Sequence, residues 1–228
     1  KVKRSTSNEY LINDTRMQVF FEDPIPADGG TATVSMNFSY KIPQEGMDRM
    51  GRLDVEDGTI YALAQWYPRV AVFDDVEGWN IEPYLGAGEF YYDYGDFDYR
   101  ITAPFDHIVV GSGELQNPRE VLSSTVLDRY EQAQKSDSTI FLIRAEEVND
   151  MSLRAKQEGT LTWHFKIENS RDVAFASSSA FIWDAARINL PGDDTALAQS
   201  AYPTETKGQE AWGRSTQYVK ASIEHYSN

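Results

Sequence analysis

Short segments in which apolar and polar residues alternate recur along the chain, and they restrict its fold more than any other feature. The clearest of them spans residues 31–42, and its apolar face would be formed by Ala32, Val34, Met36, Phe38, Tyr40 and Ile42. A period of two residues is typical of a half-buried antiparallel strand. We therefore predict such a strand here, ending at Pro43.

Similar patterns predict about ten short strands in all. The others lie at residues 16–21, 59–66, 70–73, 90–102 (interrupted at Gly95), 108–112, 139–145, 159–168, 173–177, 180–188 and 197–202. Residues 44–58 are polar and are predicted to form a loop. Helical spacing appears in two places, at 120–134 after the start signal Asn117-Pro118 and at 207–226. The expected fold is mainly β, a saddle-like antiparallel β-sandwich with one inserted helix and a C-terminal helix.

Charge and cysteine content exclude several functions. The net charge of −15 (21 basic and 36 acidic residues) disfavours nucleic acid as a partner, because an acidic chain repels phosphates. The chain has no cysteine, which excludes disulfides, thiolate metal sites and a cysteine nucleophile. No apolar run approaches the roughly 18 residues of a membrane helix, so no transmembrane segment is expected.

Catalytic residues are not predicted in this chain. His107, His164 and His225 lie far apart in the sequence, and no H-E-x-x-H motif is present, so no metal site is expected. The serines of the 111–113 turn and of 177–179 lie outside a G-x-S-x-G motif, and the sequence suggests no histidine beside them.

The end of the predicted strand 59–66, where it enters a proline turn, is the main candidate for binding. Gln65 is a neutral amide next to Trp66 and Tyr67, immediately before Pro68. An amide orients a ligand by hydrogen bonds without adding charge. An alternative candidate is the aromatic and acidic run 90–99, whose Asp93, Asp96 and Asp98 suggest a calcium- or carbohydrate-binding surface on a stand-alone β-domain.

Several of these segments together resemble the N-terminal domain of the aminopeptidase N family of zinc metallopeptidases, in a bacterial branch. The resemblance lies in Gln65-Trp66-Tyr67-Pro68-Arg69, Asp74-Asp75, Gly78-Trp79, Gly95-Asp96-Phe97-Asp98-Tyr99, Gly111-Ser112-Gly113-Glu114-Leu115, Asn169-Ser170-Arg171-Asp172, Phe181-Ile182-Trp183-Asp184 and Trp212-Gly213-Arg214. The run after Arg69 departs from the usual family text, so substrate preference is not implied.

The resemblance implies an N-terminal β-saddle domain at 1–178, truncated at its start, and the beginning of a thermolysin-like catalytic domain at 179–228. We expect a piece of a longer protein, since the chain begins at Lys1 and ends at Asn228 inside a helical pattern. Zinc is expected in the catalytic domain of the parent protein, with no cofactor in this chain.

The resemblance also implies the role of the turn and the partner of the domain. Gln65, with Trp66 and Tyr67 beside it, would contact the N-terminal residue of a peptide substrate in a cleft shared with the catalytic domain. An exported or periplasmic protein is favoured by the resemblance and by the lack of cysteine, although no residue marks the compartment.

Overall fold

The computed structural model describes residues 9–44, 48–83, 86, 88–208 and 212–227. Within these residues the strands are β1 Glu9–Asn13, β2 Arg16–Phe20, β3 Met50–Val55, β4 Gly58–Leu63, β5 Phe73–Asp74, β6 Gly78–Trp79, β7 Gly95–Pro104, β8 Ile108–Gly111, β9 Glu114–Leu115, β10 Ile140–Ile143, β11 Thr160–Ser170, β12 Phe175–Ser178, β13 Ile182–Asn189 and β14 Thr195–Tyr202. The helices are α1 Pro118–Val121, α2 Ser124–Ala133 and α3 Ser215–Tyr226. The predicted class, mainly antiparallel β with an inserted helical segment and a C-terminal helix, is confirmed.

The chain divides into two compact units. The first unit, Lys1–Lys41 with Pro68–Asp93, contains the hairpins β1–β2 and β5–β6. The second unit, Ile42–Tyr67 with Tyr94–Asn228, contains three antiparallel sheets with the orders β3-β4-β12-β8, β7-β11-β9 and β10-β13-β14. The domain boundary predicted at residue 178 concerns the parent protein and stays a prediction.

Alternation explains the core of the second unit. Leu161, Trp163 and Phe165 of β11 are buried, and they lie directly opposite Ala103, Ile101 and Tyr99 of β7. Burying a large apolar side chain contributes about 1.5–3 kcal/mol. This pair of long strands is therefore one of the main stabilising elements.

The inserted helical segment packs on the same core. The hydroxyl of Ser123 accepts a hydrogen bond from Val126 N and caps α2. Val126, Tyr130 and Ala133 are buried at a spacing of four and three residues, which places them on one face of the helix. The predicted helix 120–134 is confirmed, with a break between α1 and α2.

The strand predicted at 31–42 is wrong. No described residue of this segment belongs to a strand, and the large apolar side chains of its predicted inner face are exposed, including Phe38 (50%) and Val34 (47%). Alternation defines which side chains share a face, and the Phe38 and Tyr40 rings do stack at 6.3 Å. A strand also needs a neighbouring strand to form a hydrogen-bonded ladder, and alternation does not show whether one is present. The pattern alone therefore gave a wrong prediction.

Three other predictions need correction. Residues 44–58 are not all loop, because β3 forms there and pairs with β4 through Leu53 and Ile60. The strand expected at 70–73 reduces to β5, and the strand expected at 90–102 begins only at Gly95. β1 was not predicted.

Candidate functional site

The turn after β4 contains an unusual backbone conformation. Gln65 has φ = 53°, in the left-handed region. The other non-glycine residues with positive φ in the described part of the chain are Asp14, Asp28, Asn169 and Asp193. Asp and Asn tolerate this conformation, whereas another side chain carries a strain of about 1–2 kcal/mol there. The fold therefore holds Gln65 in a costly conformation, which is a feature of many functional sites.

Trp66 fixes the turn on one side. Its indole Nε1 donates to Val173 O at 3.2 Å. Its ring packs edge-on against Phe175 at 5.4 Å and lies 6.2 Å from the Tyr99 ring. The side chain is thus anchored in the aromatic layer at the end of β12.

Tyr67 fixes the other side. Its hydroxyl donates to Asp172 Oδ1 at 2.7 Å, and its ring meets Phe97 edge-on at 6.1 Å. The same Asp172 oxygen accepts the N–H of Val173, so the carboxylate is held in place. Trp66 and Tyr67 both act here as packing and anchoring groups, and their predicted contact with a substrate stays untested.

Gln65 differs from its neighbours in having an unused amide. Its side chain is half-buried and makes no hydrogen bond to any residue that the structure describes. The preceding Ala64 donates its N–H to Arg49 O at 2.9 Å, which ties the start of the turn to the residue before β3. A positioned amide with both its donors and its acceptor available is suited to binding a polar ligand.

A shallow groove begins one residue before Gln65. It has a volume of about 420 Å³ and is lined mainly by the small and apolar residues at the ends of β4, β8 and β12, together with Arg49 and Gln199. Ala62, Ala176 and Val110 form one row of its floor, because they are paired across three strands. Concave, mostly apolar surfaces with a few polar groups are the usual form of binding sites.

The floor of the groove depends on Gly111. A Cβ at this position would lie 2.6 Å from the Tyr99 hydroxyl, which itself donates to Ser112 O at 2.7 Å. The absence of a side chain lets β8 approach the β7–β11 pair closely.

Two of the three acidic residues proposed for calcium, Asp96 and Asp98, already have protein partners. Asp98 contacts Arg100 at 2.9 Å, His164 Nε2 at 2.8 Å and Lys166 at 3.2 Å. Asp96 accepts a hydrogen bond from Asn169 N at 2.9 Å. Within the described ranges, no group of three histidine or acidic side chains is arranged to hold a metal ion.

One contact contradicts the sequence analysis. His107 Nδ1 lies 2.9 Å from Ser177 Oγ, although the sequence suggested no histidine beside this serine. Burial lowers the pKa of His107, so the ring is neutral at pH 7. The two residues are 70 positions apart, and only the register of β8 against β12, which pairs Ile108 with Ser178, would have predicted the contact. Ser177 is 5% exposed, so this hydrogen bond satisfies a buried hydroxyl group.

Three comparisons, with protein families, with curated proteins and with solved structures, returned no match for this chain. The family resemblance seen in the sequence therefore remains a hypothesis. No helix in the described part of the chain is long and apolar enough to cross a membrane.

Proposed function

We propose that this chain is the non-catalytic N-terminal part of a zinc aminopeptidase-like metallopeptidase and forms one wall of its peptide-binding cleft. The observation that supports it best is Gln65, whose strained backbone and unused amide lie at the position that the resemblance assigns to substrate binding. In this role the amide oxygen accepts a hydrogen bond from the ammonium group of the peptide, and the amide nitrogen donates to a carbonyl.

The zinc ion does not fit the residues described here. They contain no group of three suitable ligands, so the proposal assigns the metal to another part of the parent protein. This chain contributes binding and orientation only.

The test uses the complete parent protein and the substitution Gln65→Ala. A hydrogen bond to a charged group is worth about 1.5–3 kcal/mol, so we expect KM for an aminopeptidase substrate to rise roughly 10- to 100-fold while kcat changes little. Gln65→Glu adds a negative charge next to the ammonium group and should lower KM. Gln157→Ala, at an exposed residue far along the chain, is the control.

Equal kinetic constants for Gln65→Ala and Gln157→Ala would remove Gln65 from the site. Aminopeptidase activity of the isolated 228-residue chain with added zinc would contradict the assignment of a non-catalytic role.

A second candidate, a carbohydrate-binding β-domain, is favoured by one specific observation. Phe73 and Trp79 face each other across the β5–β6 hairpin with ring centres 5.1 Å apart, and both are more than half exposed. Asp74 stiffens this hairpin, since its carboxylate accepts hydrogen bonds from Glu77 N and Asn80 Nδ2. Exposed aromatic rings on a rigid support are suited to stacking against sugars.

A glycan array tests this candidate, with Trp79→Ala as the negative control. Binding that Trp79→Ala abolishes would favour it over the peptidase proposal. Calorimetric titration with calcium tests the related calcium-binding alternative, and a blank result in both experiments removes both.

A further inference from the structure

A buried carboxyl group lies where α3 covers the β10-β13-β14 sheet. Asp184 of β13 is 2% exposed. Its Oδ2 accepts a hydrogen bond from the Tyr202 hydroxyl at 2.7 Å, while its Oδ1 is buried and has no hydrogen-bond partner among the described residues. From α3, Thr216 donates to Ser200 Oγ at 2.9 Å, and Ser200 is the residue paired with Asp184 across the sheet.

Among the described residues, no positively charged side chain pairs with this carboxyl group, and Arg214, which precedes α3, stacks on the Tyr218 ring at 4.7 Å. β10 and β14 contain no charged residue. The other charged group of β13, Arg187, forms an ion pair with Asp137. In α3, Lys220 donates to Arg187 O and pairs with Glu224. The remaining titratable groups of the elements around Asp184 are those of α2 (Asp128, Arg129, Tyr130 and Glu131) and of α3 (Tyr218, His225 and Tyr226).

Burial raises the pKa of Asp184, although the nearby hydroxyl of Thr216 and the hydrogen bond from the Tyr202 hydroxyl oppose the shift. When α3 is packed on the sheet, the neutral acid is therefore more stable than the carboxylate, because an unpaired carboxylate in an apolar interior is costly.

Among the elements around Asp184, α3 is the one that detaches at the lowest cost when the carboxyl group ionises. Thr216 is its only fully buried residue among those described, and Tyr218 and Tyr226 on the helix are 53% and 85% exposed. The sheet strands around Asp184, in contrast, carry large buried side chains such as Trp183 and Tyr202. Lifting α3 hydrates the carboxylate and sacrifices little apolar burial.

We propose that docking of α3 on the β13–β14 sheet is coupled to protonation of Asp184, so that ionisation of this carboxyl group releases the helix. This coupling makes the position of any segment joined to α3 sensitive to pH. It does not depend on the proposed function.

The direction of the effect follows from linkage. Because the pKa of Asp184 is higher in the docked state than its ordinary value of 3.8, its contribution to docking is complete below about pH 4 and is lost as pH rises through the docked-state pKa. The pKa of Glu224 is lowered, chiefly by the hydrogen bond from Lys220. The pKa of Asp137 is lowered too, chiefly by the hydrogen bond from Asn189, so neither contact is lost to protonation above about pH 4.5.

Amide hydrogen exchange across α3 between pH 4.5 and 8.5 tests the proposal, after correction for intrinsic exchange rates. In the wild-type protein the protection of α3 should fall by up to tenfold per pH unit between about pH 4 and the docked-state pKa, because each opening releases one proton in that range, and it should level off above the docked-state pKa. Asp184→Asn should abolish this dependence and protect α3 at every pH. Amides of β11, on a different sheet, are the internal control.

A flat protection profile for α3 in the wild-type protein, or the same slope in Asp184→Asn, would overturn the proposal. If Asp184→Asn does not fold, Tyr202→Phe replaces it. Loss of that hydroxyl removes a hydrogen bond that favours the carboxylate, so the transition should move to higher pH. An unchanged transition in Tyr202→Phe would also count against the coupling.

Discussion

Glu147 connects the inserted helix to the segment that follows β10. Its two carboxylate oxygens bind the guanidinium of Arg129 in α2 at 2.7 and 2.8 Å. Arg129 also donates to Leu142 O at 2.9 Å. The backbone N–H of Arg144 donates to the same carboxylate at 2.9 Å. One carboxylate therefore holds α2, β10 and the following turn together.

The contribution of Glu147 can be worked out from its pKa. The hydrogen bonds from Arg129, and then the N–H of Arg144, lower the pKa of Glu147 from its ordinary 4.5 to about 2 in spite of partial burial. A shift of one pKa unit corresponds to about 1.4 kcal/mol, so the ionised group contributes about 3 kcal/mol to folding at pH 7. Both side chains are 18% exposed, which limits solvent screening.

We expect Glu147→Gln to lower the free energy of unfolding by about 3 kcal/mol at pH 7. The folded-state pKa is depressed, so this contribution is complete above about pH 5 and is lost as pH falls towards 2. The deficit of the variant should therefore shrink to about half or less at pH 3.

Urea unfolding, followed by the fluorescence of the buried Trp163 and Trp183, measures this at pH 7, 5, 4 and 3. Glu146→Gln removes the same charge from an exposed neighbour and is the control. A difference below about 0.5 kcal/mol between the two variants at pH 7, or a difference that does not shrink at pH 3, would refute the reasoning.

Three further predictions concern single residues. Gln65→Gly should raise the free energy of unfolding by up to about 1 kcal/mol in thermal or urea unfolding, because glycine relieves the left-handed strain; a loss of stability would mean that the side chain is structural. Burial lowers the pKa of His107 below its ordinary 6.5, so the free energy of unfolding should fall as pH drops below about 6.5. His107→Asn should remove most of this pH dependence in urea unfolding measured between pH 7.5 and 5. Gly113→Ala should lower the free energy of unfolding by more than about 3 kcal/mol, because the added Cβ would lie 2.3 Å from Lys166 O. Gly159→Ala, where φ is also positive but the space is open, should lower it by only about 1 kcal/mol. Equal losses for the two variants in urea unfolding would contradict the clash.

The sequence predicted those elements that combine a clear apolar pattern with a buried surface on the element packed against them. The alternation in β11 predicted its bounds almost correctly, because buried residues of β7 lie opposite its three buried positions, Leu161, Trp163 and Phe165. The helix at 120–134 was also predicted, since Val126 and Tyr130 are spaced for one face. At 31–42 the pattern was at its clearest and the predicted strand was wrong, because alternation contains no information about which strand lies alongside.

The candidate site was predictable only in outline. The sequence pointed to Gln65 through its aromatic neighbours and the following proline. The left-handed backbone and the anchoring of Trp66 and Tyr67 by Val173 and Asp172 depend on contacts more than 100 residues away in sequence. The contact between His107 and Ser177 was also missed, because the two residues are 70 positions apart and meet only through the pairing of β8 with β12.

The central claim is that this chain forms the binding wall of a peptidase whose zinc lies elsewhere in the parent protein. The most direct measurement is to sequence the open reading frame beyond the codon for Asn228. The account predicts an H-E-x-x-H motif within roughly 100 residues and a glutamate ligand further downstream. A reading frame that continues for several hundred residues without this motif, or that stops shortly after Asn228, would contradict the account.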